Sequence, residues 1–129
     1  MKTILLVEDA DYKANTIRRL LSAAGVEVIR ASNLYQAMHA LKEESTNQYI
    51  GAVIIDWTFP AHSDGNPKTG AGSRVVAECK DRGLPFVVVS GDEPQDGVTP
   101  WITFRPEFAL SELRAWVEET KKAVPELIC

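Results

Sequence analysis

The stretch Gly51-Ala52-Val53-Ile54-Ile55-Asp56-Trp57-Thr58-Phe59-Pro60 decides the fold. Four apolar residues, Ala52 to Ile55, run without a break into the carboxylate of Asp56. The N-terminus repeats the pattern, with Ile4 to Val7 running into Glu8 and Asp9. An unbroken apolar run suits a strand covered on both faces, as in a parallel sheet. Two such strands that both end on acids place charge along one edge of that sheet.

The rest of the chain alternates in the same way. Ala14, Ile17, Leu20, Leu21 and Ala24 recur at helical spacing, and Gly25 closes that helix. Val26 to Ala31 reads as a second strand. Ser32 or Asn33 caps a second helix with the face Leu34, Ala37, Met38 and Leu41. Ile50 to Ile55 is the third strand, followed by a long loop over 57–71. Val75, Val76 and Cys79 mark a third helix that ends near Gly83. Phe86 to Val89 and Trp101 to Phe104 are the fourth and fifth strands. Leu110, Leu113, Trp116 and Val117 give a last helix, which Pro125 helps to end. The alternation predicts an α/β, doubly wound parallel sheet with helices on both faces. Right-handed crossovers then bring every strand's C-terminal end to one edge. Open sheets of this kind place their sites there, where the strand order reverses.

The composition sets outer bounds. The length of 129 residues is that of one domain, 1–129, and the 45% hydrophobic content is enough for a core without disulfide staples. A net charge of −4 argues against nucleic acid as a partner, since phosphate binding needs concentrated Lys and Arg. No run approaches the roughly 20 apolar residues of a membrane span. Met1-Lys2-Thr3 leads straight into a strand, so no signal peptide is expected. Cys79 falls on an apolar helix face. Cys129, the last residue, is not a prenylation box, which needs Cys four from the end. A reducing, cytoplasmic setting follows.

The strand ends collect chemistry. The first strand delivers Glu8 and Asp9, the third Asp56, the fourth Ser90 and the fifth Arg105. Three carboxylates in one cleft repel one another, which raises their pKa values unless a cation sits among them. Oxygen-rich clusters of this kind suit Mg²⁺, held by carboxylates, water and a phosphate. A carboxylate beside such a metal can attack a phosphoryl group to give an acyl phosphate. Ser90 and Arg105 are then placed to contact phosphoryl oxygens. Trp57 and Phe59 stand beside the site either as a partner surface or as packing. Gly70-Ala71-Gly72-Ser73 imitates a phosphate cradle, but no Lys-Ser/Thr follows at nucleotide-binding spacing, so it reads as a turn into the third helix.

With these residues in place, the sequence resembles the receiver domain of two-component response regulators, the family of the chemotaxis regulator. Ile4-Leu5-Leu6-Val7-Glu8-Asp9 is similar to that family's first strand and acidic pair. Val53-Ile54-Ile55-Asp56, with Pro60 four residues on, is similar to its phosphoacceptor strand. Pro85-Phe86-Val87-Val88-Val89-Ser90-Gly91 is similar to its fourth strand, and Phe104-Arg105-Pro106 stands where the family has Lys-Pro. The resemblance covers the whole chain. It implies a flavodoxin-like, five-stranded parallel sheet of order 2-1-3-4-5. It also implies that Asp56 is the phosphoacceptor, that Asp9 binds Mg²⁺ directly with Glu8 assisting through water, and that the Thr58 backbone carbonyl is a further ligand. Ser90 hydrogen-bonds the phosphoryl group. The donor is a histidine kinase or a phosphotransfer protein.

The chain departs from the family in places. The family's Lys is Arg105, a rigid fork in place of a point charge. Residues 91–100, with Pro94, Gly97 and Pro100, leave no room for a stable fourth helix, which is expected to be shortened or missing. Apolar surface is expected to be uncovered there, with a homodimer or a partner on the side of the fourth and fifth strands. Ile102 stands where the family often has an aromatic switch residue.

The leading expectation is a stand-alone receiver, phosphorylated on Asp56 in a phosphorelay and signalling to an unknown output protein. It is not an enzyme beyond Mg²⁺-dependent self-phosphorylation and self-dephosphorylation. The alternative is a pseudo-receiver, a binding module independent of phosphorylation. A third reading is a phosphatase, since Asp9-Ala10-Asp11 after an apolar strand resembles the start of haloacid-dehalogenase-type hydrolases. The chain is short for their lid and later acidic motif.

Overall fold

A computed structural model describes residues 2–47, 49–105 and 109–127. In chain order the elements are β1 (Thr3–Val7), α1 (Asp11–Ala23), β2 (Val28–Ala31), α2 (Leu34–Asn47), β3 (Ile50–Ile55), β4 (Thr58–Pro60), β5 (Pro67–Thr69), α3 (Gly72–Arg82), β6 (Phe86–Ser90), β7 (Trp101–Thr103) and α4 (Ala109–Ala123). A short 3₁₀ turn covers Pro125–Leu127. Five strands form one parallel sheet in the order β2-β1-β3-β6-β7. With the hairpin strands β4 and β5 left out of the count, this is the order 2-1-3-4-5 that the family resemblance implies.

The alternation of side chains along the strands builds two cores. Ile4 and Leu6 of β1 point to one face, where they meet Ile17 and Leu21 of α1 and Leu113 and Val117 of α4. Leu5 and Val7 point to the other, against Leu41 of α2 and Val75 of α3. All six residues of β3 are buried, because β3 lies at the centre of the sheet with helices on both sides. Burying each such aliphatic side chain contributes roughly 1.5–3 kcal/mol. Asn33 caps α2, its Oδ1 accepting the Gln36 N–H at 2.8 Å. Gly83 closes α3 with a left-handed φ of 66°. Cys79 is fully buried, and burial pushes its thiol up to about 12, so it stays protonated and packs as a small apolar residue.

Four features differ from the sequence expectation. The second strand begins at Val28 instead of Val26. The loop over 57–71 contains an antiparallel hairpin that pairs Thr58 with Thr69 and Phe59 with Lys68. Fully buried Phe59 anchors that hairpin, and Trp57 is nearly as deep, so both are packing residues. Leu110 is exposed, and the buried stripe of α4 runs instead through Leu113, Val117 and Thr120. Residues 91–100 are irregular, as expected, yet the apolar surface there is covered: Val98 and Trp101 pack onto the core beside α3. Lys80 of α3 pins this segment by donating to the Gly97 carbonyl at 3.2 Å. The large hydrophobic residues that are exposed, among the described residues, are Tyr12, Tyr35 and Leu110. Pro106 and Cys129 lie outside the described residues. No described helix is long and apolar enough to cross a membrane.

Candidate functional site

The C-terminal ends of β1 and β3 lie side by side, since the two strands pair in register up to Val7 and Ile55. The next residues are therefore neighbours. Carboxylate oxygens of Glu8, Asp9 and Asp56 lie within 4.8 Å of one another. Glu8 is buried, and Asp9 and Asp56 are half-buried. Burial pushes the Glu8 carboxyl up to about 7, the nearby Asp56 charge adds to this, and Lys13 opposes it without cancelling it.

Lys13 of α1 lies among these acids. Its Nζ is 2.7 Å from Glu8 Oε1 and 3.3 Å from Asp56 Oδ1, and it donates to the Val89 carbonyl at 2.5 Å. The Phe104 ring covers it at 5.1 Å. Asp56 Oδ1 also accepts the Trp57 N–H at 2.7 Å. Asp56 Oδ2 accepts no hydrogen bond among the described residues.

The backbone around the acids is held from both sides. The Arg30 guanidinium, from β2, donates to the carbonyls of Glu8 and Asp9 at 3.0 and 3.1 Å, and to Asp11 Oδ1 at 2.9 Å. Gly72 opens α3 against the acceptor strand, where an added Cβ would lie 2.5 Å from the Asp56 carbonyl oxygen. Only glycine allows that approach. This gives the Gly-Ala-Gly-Ser turn its role: it seats α3 against the end of β3.

Ser90 lies at the end of β6, buried, and its hydroxyl donates to Asp92 Oδ2 at 3.2 Å while accepting the Asp92 N–H at 3.1 Å. The Thr58 hydroxyl donates to the same Asp92 oxygen at 2.6 Å. Arg105 is exposed and makes no hydrogen bond or ion pair among the described residues. It lines a shallow hollow with Asp92, Glu93 and Phe104. The structure thus gathers Glu8, Asp9 and Asp56, sets Ser90 and Thr58 around Asp92, and leaves Arg105 outside the acid cluster.

Lys13, Arg30 and Asp92 were not identified from the sequence. Lys13 had a signal: it precedes Ile17 by four residues and Leu20 by seven, so a charge stands on the buried stripe of α1. Arg30 had a weaker one, a charge inside the strand Val28-Ile29-Arg30-Ala31. Asp92 had none, because an acid in a polar loop is ordinary.

Three carboxylates face one ammonium here. That leaves a surplus of negative charge, and the donor set is all oxygen, which fits a divalent hard cation such as Mg²⁺.

No model of a known protein family matches the sequence, and no curated protein matches it. Solved structures do. The chain is similar to a response regulator receiver protein from Sinorhizobium medicae, at 26% identity and a TM-score of 0.69, with 95% of each chain covered. It is similar to one from Pseudoalteromonas atlantica, at 16% identity and a TM-score of 0.72, with 94% of this chain and 98% of that one covered. A receiver domain protein from Clostridium thermocellum matches at 18% identity and a TM-score of 0.71, over 99% of this chain and all of that one.

Proposed function

We infer that this chain, which has the fold of the response-regulator receiver domain, accepts a phosphoryl group on Asp56. The observation that carries the reading is the state of the Asp56 carboxylate. Oδ1 is fixed by Trp57 N–H and Lys13, whereas Oδ2 carries no donor, inside a three-carboxylate cluster at the sheet's C-terminal edge. A carboxylate fixed by one oxygen and free at the other is oriented for attack. Glu8, Asp9 and Asp56 would hold Mg²⁺, with the Thr58 carbonyl as the family's further ligand. Bound there, the ion would offset charge on the phosphoryl oxygens. Arg30 keeps the Glu8–Asp9 backbone in place, and the Ser90 hydroxyl, once free of Asp92, is available to a phosphoryl oxygen. Arg105, on the adjoining rim, can meet the phosphoryl group only by reaching inward.

In this reading the donor is a phosphohistidine on a histidine kinase or phosphotransfer protein in the cytoplasm. The signal passes by contact to an output protein or to a second copy of the chain. The molecule is a signalling module, with no catalysis beyond its own phosphorylation and dephosphorylation. The test is incubation with acetyl phosphate and Mg²⁺, read by intact-protein mass. The wild-type chain should gain one base-labile phosphoryl group, and Asp56→Asn should gain none. Equal gain in both would move the acceptor elsewhere.

One observation favours the pseudo-receiver reading. Asp92 already engages the Ser90 and Thr58 hydroxyls, so an anion stands where a phosphoryl oxygen would bind. If the wild-type chain gains no mass while Mg²⁺ still changes Trp57 fluorescence, the fold serves as a binding module.

A further inference from the structure

We propose that Lys13, delivered by α1, is the cation that stabilises the phosphoryl group on Asp56, a duty that the family resemblance assigns to the residue at the end of β7. The proposal rests on the reading of Asp56 as phosphoacceptor.

Three observations carry it. First, Lys13 is the cation in ion-pair range of Asp56 among the described residues, at 3.3 Å, while Arg105 pairs with nothing described. Second, the ammonium is fixed in position. An ammonium has three N–H donors. Here one is donated to the Val89 carbonyl while the ammonium stays in ion-pair range of Glu8 and Asp56, and the residue is only 8% exposed. A donor already oriented in a desolvated site acts on developing charge without reorganisation. Third, the segment that follows β7 contributes an aromatic cover in place of a charge: the Phe104 ring lies over the ammonium and Arg105 turns to solvent.

A structural role as the partner of Glu8 alone is the competing account, since that contact is the shorter, at 2.7 Å. The charge balance of the reaction separates the two. A lone pair of Asp56 Oδ2 forms a bond to phosphorus. With acetyl phosphate as the donor, the bond from phosphorus to the acyl oxygen breaks, and its electron pair leaves on acetate. No proton moves. Oδ1 becomes the neutral carbonyl oxygen of a mixed anhydride, while the phosphoryl group brings two negative charges next to it. The attraction of Lys13 for Oδ1 therefore weakens as a stronger one to the phosphoryl oxygens appears. Glu8 and Val89 keep the ammonium within reach. An interaction that grows along the reaction accelerates it. A pure counter-ion of Glu8 would gain nothing.

The experiment compares phosphorylation of the full chain by acetyl phosphate with Mg²⁺ in four forms: wild type, Lys13→Met/Glu8→Gln, Glu8→Gln and Arg105→Ala. Pairing Lys13→Met with Glu8→Gln avoids leaving a buried unpaired carboxylate, and circular dichroism checks that each form is folded. The double variant should be phosphorylated about ten- to a hundredfold more slowly than Glu8→Gln. Arg105→Ala should stay within about twofold of wild type. Equal rates for the double variant and Glu8→Gln overturn the proposal, as does a large loss in Arg105→Ala alone. A wild-type chain that gains no phosphoryl group overturns the reading of Asp56 and the role of Lys13 with it. A wild type that reacts while loss of Lys13 has no effect overturns Lys13 only.

Discussion

The two halves of the sheet's C-terminal edge are built on opposite plans. At the ends of β1 and β3 the acids are buried or half-buried, Lys13 is shared among them, and Arg30 and Gly72 hold the backbone. At the ends of β6 and β7 the loop over 91–100 is mostly exposed, Asp92 holds Ser90, and Arg105 faces water. The first half has its positive charge brought by a helix from inside. The second carries its positive charge on the rim, where it pairs with nothing described. A cleft of carboxylates needs a cation, but physics does not dictate which element brings it. An ammonium on a long flexible stem can enter from α1 as well as from β7.

The largest expected difference between the halves is in pH dependence. Glu8 ionises near 4.5 in the unfolded chain and near 7 in the folded one, because of its burial and then the Asp56 charge. Between those values the unfolded chain has lost a proton that the folded chain keeps. Stability present below pH 4.5 therefore falls as pH rises and levels off above about 7, a loss of about 3 kcal/mol. Urea midpoints at about pH 5 and 7.5 should show that decline in wild type and a flatter profile in Glu8→Gln. Matching profiles would break the contrast.

A paired glycine test comes next. Gly72→Ala puts a methyl 2.5 Å from the Asp56 carbonyl oxygen, whereas a Cβ at Gly91 meets nothing within 4 Å. Gly72→Ala should cost about 1–3 kcal/mol, and it should slow phosphorylation by displacing Asp56. Gly91→Ala should be close to neutral. Denaturant midpoints check both, and equal costs would mean that the two halves are packed alike.

Asp92→Asn probes the latch on Ser90. It keeps an acceptor for the hydroxyls and removes the charge, so stability should change by about 1 kcal/mol or less. Phosphorylation by acetyl phosphate should speed up, because the incoming anion no longer meets a carboxylate at Ser90 and Thr58. A slower reaction would show that Asp92 assists. The smallest effect is expected for Arg105→Ala, under about 0.5 kcal/mol by the same midpoints, as for an exposed side chain without a partner.

The legible part of the site is the part with strand logic. Asp56, Glu8 and Asp9 each follow an apolar run, so their place on the edge follows from the parallel sheet. The irregular segment over 91–100 was legible for a similar reason, since Pro94, Gly97 and Pro100 oppose a helix locally. Its cover was not legible: Val98 and Trp101 fold back onto the core, and Trp101 packs at a tilt against Trp57 with ring centres 5.2 Å apart. Nothing local to residues 91–100 specifies that contact.

By itself, then, the sequence determined the layered α/β architecture and the edge on which the acids meet, because hydrophobic period and chain handedness are local rules, whereas the strand order was implied only by the resemblance to the receiver family. The tertiary structure decided which cation reaches those acids. Lys13 and Asp56 are far apart in sequence, and their Nζ–Oδ1 distance of 3.3 Å exists only because α1 packs across β1 beside β3 and β6. A side chain's charge is written in the sequence, but the direction in which it spends that charge is set by what is packed around it.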